Sequence, residues 1–298
     1  MIKSKNVFIC IGAIHYDYLV KLKKKITNFR TNPIVQSKEI GGVAYNVSKI
    51  LSIFEKVKII SLKISNQLKK ELNEKNIKII EINNKISKRH YIALSDNKNN
   101  FLLGLANTDD YELNYKFKLP KNINGNFIIF DLNFSKNFLE RAIKKFSIHN
   151  TIIVCATSLH KVYKIKNILS CIDYLFLNKG EILKLTNQKN IIKALYLINK
   201  KNSKMKICTT NNKEDVYLLV NNNIIKAKPP KIKINKENGA GDALAGMMIY
   251  LFSKNFPLDK ILKISIACGS YHASGKKIIN KKDFLEIKKL SKKVLMKK

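Results

Sequence analysis

The segment Asn238-Gly239-Ala240-Gly241-Asp242-Ala243-Leu244-Ala245-Gly246 runs from small residues into apolar ones at helical spacing: Leu244, Met247, Met248 and Leu251. Small residues let the backbone approach a ligand closely. A tight Gly239-Ala240-Gly241 turn therefore opens a helix with free N–H groups and a positive dipole end, which together make an anion site. Asp242 stands at that same helix start. A carboxylate there repels a bound phosphate, so phosphate binding alone does not account for it. A general base that takes a proton from an attacking hydroxyl does. A plain helix cap would also place an Asp at this position.

A second glycine segment lies far upstream: Gly41-Gly42-Val43-Ala44-Tyr45-Asn46-Val47-Ser48. Its paired glycines precede a helix with Val47, Ile50, Leu51 and Phe54 on its apolar face. Asn46 falls one turn in, where its amide can meet a sugar hydroxyl or simply face solvent. Between the two segments, strand-like runs alternate with amphipathic stretches. The runs are Val7–Ile11, Val57–Leu62, Phe127–Phe130, Thr151–Cys155, Tyr174–Leu177, Lys206–Thr209 and Val216–Val220. Helices are expected over Ala44–Phe54, Gln67–Lys75, Phe138–Phe146, Ile191–Asn199 and Ala243–Phe252. That alternation predicts an α/β fold with a mostly parallel central sheet and helices on both faces. Tyr18–Glu39 and Arg89–Leu105 break the rhythm. They read as short strands with turns between them, a small β-sheet lid that covers a site and excludes water.

Composition narrows the function classes. The 298 residues are 45% hydrophobic, enough for a sizeable core. No apolar run reaches the ~18 residues of a membrane helix, and no cleavage site follows the first apolar run. A cytoplasmic protein of one domain, residues 1–298, is expected. Cys10, Cys155, Cys171, Cys208 and Cys268 show no metal or disulfide spacing and read as buried thiols. His90, His149, His160 and His272 show no metal-binding arrangement either. The net charge of +36 raises nucleic-acid binding. But the lysines are spread along the whole chain, and arginine occurs only at Arg30, Arg89 and Arg141. Nucleic acid is therefore not the expected partner, and the field favours small anionic ligands.

The two glycine segments together resemble the PfkB/ribokinase family, and the likeness runs through essentially the whole chain. Gly12-Ala13-Ile14-His15-Tyr16-Asp17 is similar to that family's first strand, which ends in a sugar-binding Asp. Asn178-Lys179-Gly180-Glu181 is similar to its Asn-x-x-Glu motif, which helps hold magnesium. Thr210 falls where the family has a Thr near the nucleotide. The resemblance implies an ATP- and Mg2+-dependent kinase of a small sugar or nucleoside. It admits a monovalent cation such as K+ and a homodimer through the lid. In that scheme Asp242 is the base, and Gly239, Ala240 and Gly241 form the anion hole. Asp17, Gly41, Gly42 and Asn46 hold the acceptor. Asn178, Thr210, Gly239 and Gly241 meet the nucleotide, with Asn178 and Glu181 near the metal.

The chain departs from the family at three places. Lys236-Glu237-Asn238 replaces the usual Asp-Thr-Thr before the Gly-Ala-Gly-Asp string. Thr210-Asn211-Asn212-Lys213-Glu214-Asp215 lacks both glycines of Thr-x-Gly-x-x-Gly. Ile64-Ser65-Asn66-Gln67-Leu68-Lys69 stands for Gly-x-Asp-x-x-Gly. Four segments resemble pseudouridine kinases in particular. They are Thr31-Asn32-Pro33, Ala106-Asn107-Thr108-Asp109-Asp110-Tyr111-Glu112, Asp131-Leu132-Asn133-Phe134 and Ser158-Leu159-His160-Lys161. That likeness implies phosphorylation of the 5′-hydroxyl of pseudouridine, with Thr31, Asn133 and Lys161 on the acceptor side. Ribose, fructose or adenosine kinases, and a member that binds a nucleoside without turnover, are the alternatives.

Overall fold

The computed structural model describes the chain apart from residues 1–6, 73–74, 84, 99, 108, 114–122, 124–126, 237 and 298. Thr108, Glu237 and residues 73–74 of the expected Gln67–Lys75 helix lie outside the described residues.

The seven apolar runs all enter the main sheet, which adds three strands not read from sequence, Ile77–Glu81, Asn223–Lys228 and Leu295–Lys297. Its strands are β1 (Phe8–Ile11), β4 (Val57–Ser61), β5 (Ile77–Glu81), β8 (Phe127–Asp131), β9 (Thr151–Cys155), β10 (Tyr174–Asn178) and β11 (Lys206–Thr210), followed by β12 (Val216–Val220), β13 (Asn223–Lys228) and β14 (Leu295–Lys297). The order is β14-β13-β12-β11-β10-β9-β8-β1-β4-β5. Pairings from β5 through to β11 are parallel, and β12, β13 and β14 add on antiparallel. Strands buried on both faces must be apolar throughout. In β1, Phe8 and Cys10 enter one core while Ile9 and Ile11 enter the other.

Helices cover each core. One face carries α1 (Val43–Ser52), α7 (Ala240–Ser253), α8 (Leu258–Ala273) and α9 (Lys281–Ser291). The other carries α4 (Lys136–Phe146), α5 (Lys179–Thr186) and α6 (Ile191–Asn199). α4 shows the logic: Ser135 caps it through the Phe138 N–H, and Phe138, Leu139, Ala142, Ile143 and Phe146 all face inward. Each large side chain of that stripe contributes about 1.5–3 kcal/mol by burial. α8 was not among the stretches read from sequence. The expected helix at Gln67 is a short α2 (Asn66–Glu71), and a one-turn α3 (Asp109–Glu112) precedes β8.

The separate small sheet has the order β3-β2-β6-β7. It is built from β2 (His15–Leu22), β3 (Ile34–Gly41), β6 (His90–Ser95) and β7 (Phe101–Asn107). These are the two segments that break the α/β rhythm. One placement differs from expectation. Asp17 does not end the first core strand, since β1 stops at Ile11 and the chain turns through Gly12-Ala13-Ile14 into the lid. Asp17 sits on lid strand β2, opposite Glu39 of β3.

Candidate active site

Two helix N-termini meet outside the carboxyl ends of the parallel strands, where open α/β sheets place their ligands. Gly42 caps α1 at φ 109°, where any Cβ would run into the Ala13 carbonyl oxygen. Gly239 caps α7 at φ 82°, in the left-handed region that favours glycine. Asn46 of α1 donates from Nδ2 to Asp242 Oδ2 of α7 at 2.9 Å, which joins the two glycine segments directly. The first intrahelical bond of α7 runs from Ala243 N to Gly239 O, 2.9 Å. The N–H groups of Ala240, Gly241 and Asp242 thus remain free of helix bonds. A Cβ on Gly241 would meet nothing within 4 Å, so the space over these amides is open.

A cavity of about 200 Å3 lies beside them, lined by Asn178, Glu181, Thr210, Gly239, Gly241 and Asp242, and by the thiols Cys155 and Cys208. The cysteines are free, and all but Cys171 are buried. Burial pushes Asp242 up to about 7; Asp17 and Asp131 push the same way, against the hydrogen bond from Asn46. Burial likewise lifts Glu181 to about 7, opposed by its bond from the Asn178 N–H and helped by the charge of Asp242. Asn178 and Glu181 form a reciprocal capping box on α5, with bonds of 2.8 and 3.0 Å. Each thus has a second, structural role beside the one expected at a metal. Among the described residues no group of three or more His, Cys, Asp or Glu side chains is placed to hold a metal ion. One buried carboxylate and one amide suit a hydrated magnesium, which keeps most of its waters and binds through few protein groups.

The turn after β11 reaches the left-handed region without a glycine. Asn212, at the first glycine position of the family pattern, has φ 49°. Asn is among the residues that tolerate the left-handed region. The Glu214 N–H closes the turn on Asn211 O at 2.8 Å.

On the lid side, Asp17 is buried with 4% exposure. Its Oδ2 accepts from Asn238 Nδ2 at 2.9 Å, and its Oδ1 lies 3.0 Å from His15 Nδ1. Deeper in, Lys161 Nζ donates to Asn133 Oδ1 at 2.8 Å, and Asn133 Nδ2 donates to Asp131 Oδ2 at 2.8 Å. Asp131 also accepts the Ala13 N–H at 2.9 Å, which ties β8 to the chain leaving β1. Burial, with Arg89 and Lys164 adding to it, pulls the Lys161 ammonium down to about 7. Arg89 is half-buried. It donates to the Asn107 carbonyl at 3.1 Å, and its Nε has no partner.

Asp242, Gly239, Ala240, Gly241, Asn46, Asn178, Glu181 and Thr210 therefore gather at one place. Asp17 joins them through Asn238, and Asn133 with Lys161 through Asp131. Thr31 does not: it is exposed in the lid-tip loop and lines a separate hollow formed by residues 26–32. Sequence reading missed Asn238, which lay within the quoted segment as a departure, and Asp131, quoted without a role. It read His272 as structural without a partner; the structure shows Nε2 donating to Asn238 O at 3.0 Å, a pairing no spacing announces.

Residues 8–283 match the model of the pfkB family carbohydrate kinases, and the chain belongs to that family. It is thus a PfkB-type sugar or nucleoside kinase that uses ATP. No curated protein matches it in sequence. Among solved structures, a carbohydrate kinase from Agrobacterium tumefaciens is 19% identical, with 98% of this chain and 100% of that one covered and a TM-score of 0.77. The ribokinase of Cryptococcus neoformans in complex with ADP is 11% identical, with coverage of 95% and 99% and a TM-score of 0.78. The nucleoside kinase of Methanocaldococcus jannaschii is 18% identical, with coverage of 95% and 98% and a TM-score of 0.72. These likenesses carry the fold. Among the described residues no helix is long and apolar enough to cross a membrane.

Proposed function

We propose that the chain, acting as one kinase unit over residues 1–298 in the cytoplasm, transfers the γ-phosphoryl group of ATP to the 5′-hydroxyl of pseudouridine. The observation that carries the substrate is the buried chain Lys161–Asn133–Asp131. It holds a cation at the far end of the acceptor site, within segments that resemble pseudouridine kinases. A uracil ring presents carbonyl oxygens that such a donor can meet, and ribose has none.

Asp17 and Asn46 hold ribose hydroxyls against the Gly41-Gly42 backbone. Asp242 takes the 5′-hydroxyl proton as the oxygen attacks the γ-phosphorus and the bond to the ADP oxygen breaks. The amides of Gly239, Ala240 and Gly241 receive the charge on the transferring group. Magnesium, when bound, neutralises phosphate charge; Glu181 and Asn178 would hold it through water. A homodimer through the lid belongs to the same reading.

The test is an ADP-release screen against pseudouridine, uridine, adenosine, ribose and fructose. Pseudouridine is expected to give the highest kcat/KM. A higher value for ribose or fructose would refute the substrate and leave the kinase standing. Binding of nucleoside with no ADP release from any acceptor would favour the non-catalytic alternative.

A further inference from the structure

Two donors on the loop before α7 reach two carboxylates that stand side by side on the lid. Lys236 Nζ donates to Glu39 Oε2 at 2.6 Å. Two residues on, Asn238 Nδ2 donates to Asp17 Oδ2 at 2.9 Å. Asp17 and Glu39 are register partners across β2 and β3, so their side chains share one face of the lid sheet. The Lys236–Glu39 pair is about one-third exposed on each side and joins residues 197 apart in the chain. It stands in a protein where 57 basic residues face 21 acidic ones. The other side of the loop is fastened to α8. The N–H groups of Asn235 and Lys236 donate to Ala273 O at 2.9 and 3.0 Å. Asn235 Nδ2 donates to Ser274 O at 2.9 Å, and His272 grips the Asn238 carbonyl. Gly239, which caps α7, follows at once.

We propose that Lys236 and Asn238 are positioning residues that clasp the lid to the loop carrying the anion hole. Through them, the strand that holds the acceptor by Asp17 and the amides that receive the phosphoryl charge are set by one short segment. The clasp lies at the Lys236-Glu237-Asn238 departure, so it is a device of this chain's own residues. It rests on the kinase reading for its consequence, though not for its existence.

The sharpest test is a charge swap: Lys236→Glu, Glu39→Lys and the double variant. Backbone hydrogen exchange over residues 34–41 reads the clasp in the ligand-free protein. Each single variant should speed exchange about three- to tenfold, as loss and reversal of a partly buried ion pair implies. The swap should return it to within about twofold of wild type. Acceptor KM should follow the same pattern, with ATP KM moving less. Asn238→Leu, which keeps bulk but loses the donor, should raise acceptor KM about tenfold. Unchanged exchange in the single variants, or a swap that adds the two losses, overturns the clasp. An unmoved acceptor KM in Asn238→Leu overturns the role of Asn238. If wild type turned over no acceptor at all, the failure would fall on the kinase reading, and exchange would still decide the clasp.

Discussion

Replacing Asp242 by Asn separates two effects that act on one atom. The amide keeps the shape, and its oxygen still accepts from Asn46 Nδ2, now 2.9 Å from Asp242 Oδ2. It cannot take the proton of the attacking hydroxyl, and loss of a general base costs about 10²–10⁴ in kcat. Acceptor KM should change far less, because Asp17 and Asn46 remain. Stability should move the other way. Asp242 rises from 3.8 to about 7, so between those values the folded state binds a proton that the unfolded chain has lost. The linkage slope is then negative: stability is fully present below about pH 4 and falls as pH rises through 7. At about 1.4 kcal/mol per pH unit, three units bound the loss near 4 kcal/mol, and water at the cavity mouth cuts it to about 1–2 kcal/mol. Asn carries no such cost. The ligand-free variant should melt about 2–6 °C above wild type at pH 8 and level with it at pH 4. Wild-type kcat/KM should show an acid limb near pH 7 that the variant lacks. Calorimetry at both pH values and a steady-state pH profile suffice. A folded variant with near wild-type kcat would leave Asp242 a structural partner of Asn46 only; an equal melting point at pH 8 would refute the claim that its charge is costly.

Two further substitutions probe the ends of the site. Lys161→Met should raise the KM for pseudouridine about tenfold or more, the usual cost of a hydrogen bond from a charged donor, while leaving ribose kinetics nearly unchanged; equal effects on both acceptors would remove Lys161 from the base side. Glu181→Gln should raise the Mg2+ concentration needed for half-maximal rate by about tenfold, and because Glu181 rises from 4.5 to about 7, the variant should gain thermal stability above pH 7 and none below about pH 4.5; an unchanged Mg2+ titration would confine Glu181 to capping α5.

The central sheet was legible because parallel strands buried on both faces are written as unbroken apolar runs. Ile128, Ile129 and Phe130 of β8 all sit at 1% exposure or less, and no polar residue interrupts them. The edge was not legible for the opposite reason. β14, Leu295-Met296-Lys297, is exposed throughout and is held by pairing with β13 instead of by burial. The lid showed as a break in rhythm, but its start did not, because Gly12 to Ile14 are as buried as a strand without being one. Residues whose place is fixed by local backbone, such as Gly239 and Asp242 at the start of α7, could be located from their neighbours in the chain. Asn238 and Lys236 could not, since their partners lie 221 and 197 residues away. Thr31 was read from likeness alone, and the fold gives it no neighbour in the cavity.

The acceptor's far end shows why the substrate is harder to read than the chemistry. In the proposed mechanism the phosphoryl-transfer end uses backbone amides and one carboxylate, which any acceptor hydroxyl can use, so its sequence is spare and recognisable. The far end instead places two basic groups, the buried Lys161 and the half-buried Arg89, near Asp131. Burying a charge is costly unless it is paired. Here the pairing is incomplete: Lys161 falls to about 7, and Arg89 Nε finds no partner. An acceptor with oxygen lone pairs at that end would complete it, and Lys161 would hold its proton more firmly once the ring was bound. Acceptor binding near pH 8 should therefore take up a proton, measurable as a buffer-dependent binding enthalpy. Identical enthalpies in buffers of different ionisation heat would show that Lys161 keeps one protonation state throughout, and that its burial serves the fold alone.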